Sequence, residues 1–403
     1  MNKENKHIVL LVGSYYPYYS AVGKCMGNIA DELVTRGYRV TVISLRSNQE
    51  LSEMEVVNNQ KIIRIDAGSI QQGKRLAQKI TRVKNVCKSL ASKTGAKQQL
   101  VDAYLSALIN LTEKPDMLIP TCLPFETVIA SVRYVSASNC ALIPCLYDYF
   151  AENDRLHYFH INMVMKRKAN RKLEEEMLDK SSRLLVLSTW EKYIEEVFPQ
   201  YYGKTCLIEH PLVIPTNNWG EIDYGNTNQV NIVYTGIVDR KIRNPRRVID
   251  FFLRCEIKDY NLHFYSYGNA QTIIEEAARN NSFIINHGFV PTEEAHAAIK
   301  SGDMLLSIGN SKTKQYPSKI FEYISVGKPI IHFAFSNDDI AIDVLRKYPQ
   351  SCCVMLSSND IDSERDKLRD FILNKDSHTY NYSEVSQIYP EACPQIIVDK
   401  LNI

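Results

Sequence analysis

The sequence predicts an α/β chain of two Rossmann-like domains, each built on a doubly wound parallel sheet and facing a shared cleft. Three observations predict it. The chain has 403 residues, more than one ordinary core can use. Short apolar, β-rich runs alternate with longer helical patterns almost throughout. Most of these runs are continuous rather than alternating, as in strands buried on both faces.

In the first half the predicted strands are 7–13, 38–44, 61–66, 116–120, 140–146 and 183–188. In the second half they are 231–236, 261–266, 282–287, 303–308 and 328–334. Helical patterns between them, such as Lys24–Arg36 and Pro245–Phe252, predict crossovers between parallel strands. The stretch 212–229, "LVIPTNNWGEIDYGNTNQ", has Pro, Gly and several Asn but no periodicity. It sets an N-terminal domain at 1–212, a linker at 213–229 and a C-terminal domain at 230–388. Spacing of Ile396, Ile397 and Leu401 allows a last helix in 389–403.

The apolar run Ile8–Val12 is too short for a signal-peptide core, and no run approaches the roughly 18 apolar residues of a membrane span. A cytoplasmic location is the expectation. Ten cysteines are scattered without a Cys-x-x-Cys pair, as expected of reduced thiols. His157 and His160 form His-x-x-His with no evident third ligand, so no metal site is expected.

The net charge of +2 excludes little, but its distribution is uneven. Residues 67–101 contain eight Lys/Arg and no acid. Leu76, Ile80, Val83, Cys87 and Leu90 follow helical spacing there. Two readings stand: a helix docked on the core with a solvated basic face, or one lying on an anionic membrane surface. The stretch 166–176, "KRKANRKLEEE", is expected to be a solvated helix with internal ion pairs.

In such folds ligands sit beyond the carboxyl ends of strands, near helix N-termini. Three loops qualify. The first, 13–38, opens a helix near Gly23, where the backbone can approach a phosphate or sugar closely or simply turn. It lacks Gly-x-Gly-x-x-Gly, which disfavours a nicotinamide oxidoreductase. The second, 234–250, brings Arg240, Lys241, Arg243, Arg246 and Arg247 to a strand end, with Asn244 as helix N-cap and Pro245 in the first turn. Cations placed here can neutralise a diphosphate. Arg246 and Arg247 are expected to face outward.

The third loop follows 303–308 through Gly309 and Asn310 to "YPSKIFEYISVGKPII". Ser318 is the expected N-cap, leaving the amides of 318–321, Lys319 among them, open to an anion. Glu322 then sits one turn into the helix, where it could accept two hydrogen bonds from a ribose diol or simply face water.

Taken together, these segments resemble the family 4-like glycosyltransferases of the GT-B fold, over nearly the whole chain. The resemblance is carried by "YYPYYSAVG", "RKLEEEMLDKSSRLLVLSTWEKYI", "GFVPTEEAHAAIKSGDMLLSIGN" and, most specifically, "PSKIFEYISVGKPI". "SIGN" with "PSKIFEY" is similar to a subgroup associated with bacterial surface-polysaccharide assembly.

The resemblance implies a nucleotide-diphospho-sugar donor in the C-terminal domain, retention of configuration, no metal or cofactor, and a C-terminal segment returning to the first domain. It implies that Glu322 holds the donor ribose and that the 318–319 amides hold the diphosphate. Arg243 or Lys241 would contact that diphosphate, and Gly23 would belong to the loop closing over the donor. Arg240 and Asn310 join the expected donor site.

The family's first motif Glu, eight residues before Glu322, is replaced here by Lys314, which would meet a charged sugar or face water. Asp148, after a strand end, is similar to an Asp that orients the acceptor hydroxyl or acts as base, and could equally be structural. A glycan or lipid-linked acceptor is expected, with no nucleic acid as partner. A non-catalytic sugar-nucleotide-binding protein and a sugar-nucleotide epimerase remain the alternatives.

Overall fold

The computed structural model describes residues 6–66, 86–87, 89–153, 157, 159–225, 228–255, 259–311, 318–374 and 378–402. The chain divides into two compact units, one of residues 1–211 with 391–403, the other of residues 212–390. Most of the basic segment, and Lys314, lie outside the described residues.

The first unit is built on β1 (His7–Leu11), β2 (Arg39–Leu45), β3 (Met54–Val57), β4 (Gln60–Ile65), β5 (Met117–Pro120) and β6 (Ala141–Leu142), in the order β3-β4-β2-β1-β5-β6. All neighbours are parallel except β3 and β4, which form an antiparallel hairpin at the edge. The fully buried run of β1 explains its continuous apolar sequence. The stretch 140–146 is two short strands rather than one. Pro144 has no N–H to give a ladder, so the chain breaks there and β7 (Cys145–Leu146) starts a separate parallel sheet with β8 (Leu184–Leu187) and β9 (Thr205–Ile208).

Residues 391–403 join this unit through a helix at Pro394–Lys400 that packs on α1 (Ala21–Thr35). Arg36 donates to Asp399 Oδ1 at 2.5 Å and to Gln395 O at 2.8 Å.

The stretch 166–176 departs from expectation. It lies in α2 (His160–Lys180), where Asn162, Lys166, Asn170 and Glu174 recur every fourth residue and form a buried polar stripe. Burial is tolerated because most of these groups are satisfied, although Asn162 Oδ1 and Asn170 Oδ1 are buried without a partner among the described residues. Glu174 accepts from the amides of Phe150 and Ala151 and from Tyr193 Oη. Lys166 donates to the carbonyls of Leu90 and Ser92. Arg167 and Arg171 pair with Glu152, outside the helix, at 3.2 and 2.8 Å.

His157 is buried, with Nε2 3.2 Å from Phe150 O and from Asn170 Nδ2. Among the described residues no cluster of His, Cys, Asp and Glu is arranged to hold a metal. None of the ten cysteines is joined in a disulfide. Among the described residues no helix is long and apolar enough to cross a membrane.

The second unit is a six-stranded parallel sheet: β10 (Val230–Ile237), β11 (Tyr260–Tyr267), β12 (Ile284–Asn286), β13 (Met304–Ile308), β14 (Ile330–Ala334) and β15 (Ser351–Met355). Its order, β12-β11-β10-β13-β14-β15, counts as 3-2-1-4-5-6 from β10, the doubly wound arrangement. The order in which strands are added reverses between β10 and β13. The loops leaving those two strands bound the crevice where ligands bind in such sheets.

The stretch 212–225, read from sequence as linker, is packed on this unit. Trp219 is buried, its carbonyl accepts from Lys300 Nζ at 3.0 Å, and Ile222 N donates to Ser301 Oγ at 2.7 Å.

Candidate functional site

The loops after β10 and β13 meet at the crevice of the second unit. After β10 the chain makes a tight turn. Asp239 Oδ1 accepts the amides of Lys241 and Ile242, both at 2.8 Å, and Asp239 and Arg243 pair backbone to backbone. Those two amides, with Asn269 Nδ2, hold the Asp239 carboxyl below its ordinary pKa. Ser311 fastens the second loop to the first, donating its amide to Ile242 O at 2.8 Å and its hydroxyl to Lys241 O at 2.7 Å.

Arg243 is half-buried and donates to Asn310 Oδ1 at 3.0 Å. Its Nε is buried without a partner among the described residues. The guanidinium is thus a fixed cation spanning the switch point. Two buried phenols, Tyr234 and Tyr323, feel its charge, which opposes the upward push of burial on both; Tyr323 still lies at about 12.

The other expected cations behave differently. Arg240 is drawn away, donating to Asn269 O and Thr272 Oγ1 at 2.9 and 2.8 Å. Lys241 is exposed, as are Arg246 and Arg247. Pro245, rather than Asn244, occupies the N-cap of α3 (Arg246–Leu253). Asn244 acts one residue earlier, its Oδ1 accepting from Arg246 N at 2.9 Å.

Beyond β13 the chain enters α4 (Lys319–Ser325). Ser318 stands at its N-cap position with its own backbone already helical, so its side chain makes no capping bond. The apolar face places Ile320, Phe321 and Ile324 in the core. Tyr323 ties the helix to β10: its hydroxyl accepts from Thr235 N at 2.8 Å and lies 3.2 Å from Thr235 O.

Glu322 is not a solvated residue, being only 8 % exposed. Its Oε2 is 2.5 Å from Lys319 Nζ and 3.8 Å from His296 Nε2. His296, on α5 (Thr292–Ser301), is stacked on Trp219 with centroids 4.0 Å apart and planes 4° apart. A buried carboxylate with two nitrogen bases at its edge can accept hydrogen bonds from a polyol at the crevice. The periodicity of "EEAHAAI" gave no reason to single out His296, and Trp219 fell in the expected linker.

The rim of the sheet also carries apolar groups that sequence reading passed over. Ile237, Tyr267 and Phe289, at or just past the ends of β10, β11 and β12, are exposed. Tyr267 and Phe289 meet edge to face at 5.2 Å. Single apolar residues in strand-end loops look unremarkable until the sheet aligns them.

Gly23 and Asp148 belong to the first unit. Gly23 is the third residue of α1, its amide donating to Ser20 Oγ at 3.0 Å. A Cβ there would lie 2.0 Å from Ser14 O, so the fold of the loop after β1 itself demands glycine. That loop is braced by Arg64 donating to Tyr16 O at 2.9 Å and Tyr15 donating to Gln60 Oε1 at 2.6 Å. Asp148 follows β7, is half-buried, and its carbonyl accepts from Cys122 Sγ at 2.7 Å. A separate pocket, lined by Lys6, Asp116, Ser182 and Arg183 among others, opens at the amino ends of the strands, away from these loops.

No protein-family model matches the sequence, and no curated protein matches it. Solved structures do. Sucrose-phosphate synthase from Thermosynechococcus elongatus superposes over 98 % of this chain and 94 % of its own, with a TM-score of 0.61 at 10 % identity. A putative UDP-N-acetylglucosamine 2-epimerase from Listeria monocytogenes gives 0.58 at 11 % identity, over 98 % and 94 %. WaaG, a glycosyltransferase involved in lipopolysaccharide biosynthesis, gives 0.53 at 13 % identity, over 97 % and 98 %. Likeness at these identities establishes the fold, which is GT-B.

Proposed function

We propose that this chain is a glycosyltransferase that moves a sugar from a nucleotide-diphosphate donor, held by its second unit, to a glycan or lipid-linked acceptor. The observation that carries the reading is the Arg243–Asn310 contact across the β10/β13 switch point, with buried Glu322 on the helix that follows. Arg243 would face the diphosphate, with exposed Lys241 as a second cation. Glu322, held by Lys319, would accept the ribose hydroxyls, and the amides of Ser318 and Lys319 would approach the diphosphate.

Asn310 orients Arg243. Arg240 serves the loop's shape rather than the ligand, given its bonds to 269–272. Lys314 is assigned to the transferred sugar, and Gly23 to the loop that closes over the donor. In this reading no metal or cofactor takes part. The fixed guanidinium takes up charge as the donor bond breaks, the acceptor hydroxyl attacks from the same face, and the departing diphosphate receives its proton. Configuration is retained. Asp148 would orient that hydroxyl. Bacterial surface-polysaccharide assembly at the inner face of a membrane is the setting proposed, on the strength of the "PSKIFEY" resemblance.

The epimerase likeness favours one other reading, interconversion of a sugar nucleotide without transfer. Incubation with UDP-sugars, followed by NMR of the sugar and assay of released nucleotide, separates them. Nucleotide release that rises with added glycan or lipid-linked acceptor supports transfer. A new sugar nucleotide formed with no release supports epimerisation. Tight donor binding with neither product means a non-catalytic protein.

A further inference from the structure

The first unit carries an exposed apolar face that no part of the donor reading uses. On α2 the buried residues Asn162, Met163, Lys166 and Asn170 fix which side faces the core. At about 100° per residue, Ile161, Val164, Met165, Lys168 and Lys172 fall on the opposite side, in one stripe. Ile161 is 69 % exposed and Met165 63 %, and Val164 is exposed with them.

Phe159, exposed, adjoins the stripe at the start of the helix. A cluster of large apolar side chains exposed together marks a contact surface.

Charge along the helix says what kind of surface. Exposed apolar groups stand at Ile161, Val164 and Met165, bases follow at Arg167, Lys168, Arg171 and Lys172, and then come the acids Glu175, Glu176 and Asp179, ahead of a final Lys180. At 1.5 Å per residue, Ile161 and Lys168 are about 10 Å apart along the axis. That matches the step from the upper acyl region to the headgroups of a bilayer. The three exposed acids lie farther along the axis than these bases. Elsewhere on this unit Lys93 and Lys97 are also exposed, and the sequence of 67–101 has no acid.

We propose that the N-terminal half of α2, with Phe159, docks on an anionic lipid bilayer. The apolar groups enter the outer acyl layer, Lys168 and Lys172 lie at the headgroups, and Glu175 to Asp179 point the helix out of the membrane. The inference extends the membrane setting proposed above but rests on this unit's surface alone.

The test is co-sedimentation of the full chain with phosphatidylcholine vesicles, with and without phosphatidylglycerol, at low and high salt. Three proteins are compared: wild type, Ile161→Ser/Val164→Ser/Met165→Ser, and Lys168→Glu/Lys172→Glu. Unfolding midpoints and sedimentation without lipid are measured in parallel. Wild type is expected to bind the anionic vesicles and to be released by salt. Each variant should lose roughly tenfold or more in partitioning.

Wild type that ignores both vesicle types, or variants that bind as wild type, would overturn the proposal. So would a concentration-dependent dimer abolished by the apolar variant with lipid binding unchanged, since the face would then be an interface between copies. Vesicle binding lost while nucleotides still stabilise the protein would refute this inference and leave the donor reading standing. The reverse pattern would refute the donor reading alone.

Discussion

Trp219 lies flat on His296, and the edge of that imidazole stands 3.8 Å from the carboxylate of Glu322. An aromatic from the 212–225 stretch thereby braces the wall of the candidate donor site. Replacing Trp219 with Ala removes a buried ring and should cost about 3 kcal/mol. Urea denaturation measures it. Trp219→Phe, which keeps a flat apolar face, should recover most of the loss. An unchanged midpoint in the Ala variant would mean that the stack does not contribute.

Tyr323 gives a finer test of how α4 is held. Tyr323→Phe keeps the volume but leaves the buried Thr235 amide without its partner at 2.8 Å. The expected loss is about 1–2 kcal/mol. Equal stability of the two proteins would show that the amide finds another acceptor.

Gly327, at the break after α4, has φ of +73°, and a Cβ there would come 1.8 Å from Tyr380 O. Both the backbone angle and the space exclude a side chain. Gly327→Ala should destabilise by more than about 2 kcal/mol, as read by the thermal midpoint. A shift within error would contradict the close approach.

Stability should also fall in mild acid. Burial lowers His210 to about 4, and burial with neighbouring His287 lowers His263 to about 4. Folded, both rings stay neutral to about pH 4; unfolded, they take up protons below about 6.5. Their contribution is therefore full above pH 6.5 and is lost as pH falls towards 4. For His210 the loss is about 3 kcal/mol. His210→Gln should flatten that part of the stability curve. A wild-type midpoint constant between pH 7 and 4.5 would contradict it.

The long, fully buried strands were legible because continuous apolar runs have few other uses: β1, β2, β10, β11, β13 and β14 all read correctly within a residue or a few. β3, β9 and β15 were not read. β3 is an exposed hairpin edge, β9 is half-buried, and the alternating burial of β15 falls in "SCCVM", where Ser and Cys blur the pattern. The polar stripe of α2 was invisible for a related reason. Lys, Asn and Glu at every fourth position read as solvated unless their partners on distant segments are known.

At the site, the strand-end positions of Arg243 and Asn310 and the start of α4 could be read from sequence. That Arg240 bonds to 269–272, and that His296 reaches Glu322, depends on neighbours far along the chain.

The central claim is that the second unit holds a nucleotide diphosphate against Arg243 and Glu322. The most direct measurement is thermal unfolding with UDP, GDP, ADP, CMP and dTDP, with and without EDTA, for wild type and Glu322→Ala. A ligand at about 100 times its Kd should stabilise by roughly 2.7 kcal/mol. The account predicts that one diphosphate raises the wild-type midpoint by several degrees, regardless of EDTA, and that Glu322→Ala loses the response. No response to any nucleotide, or an equal response in Glu322→Ala, would contradict it.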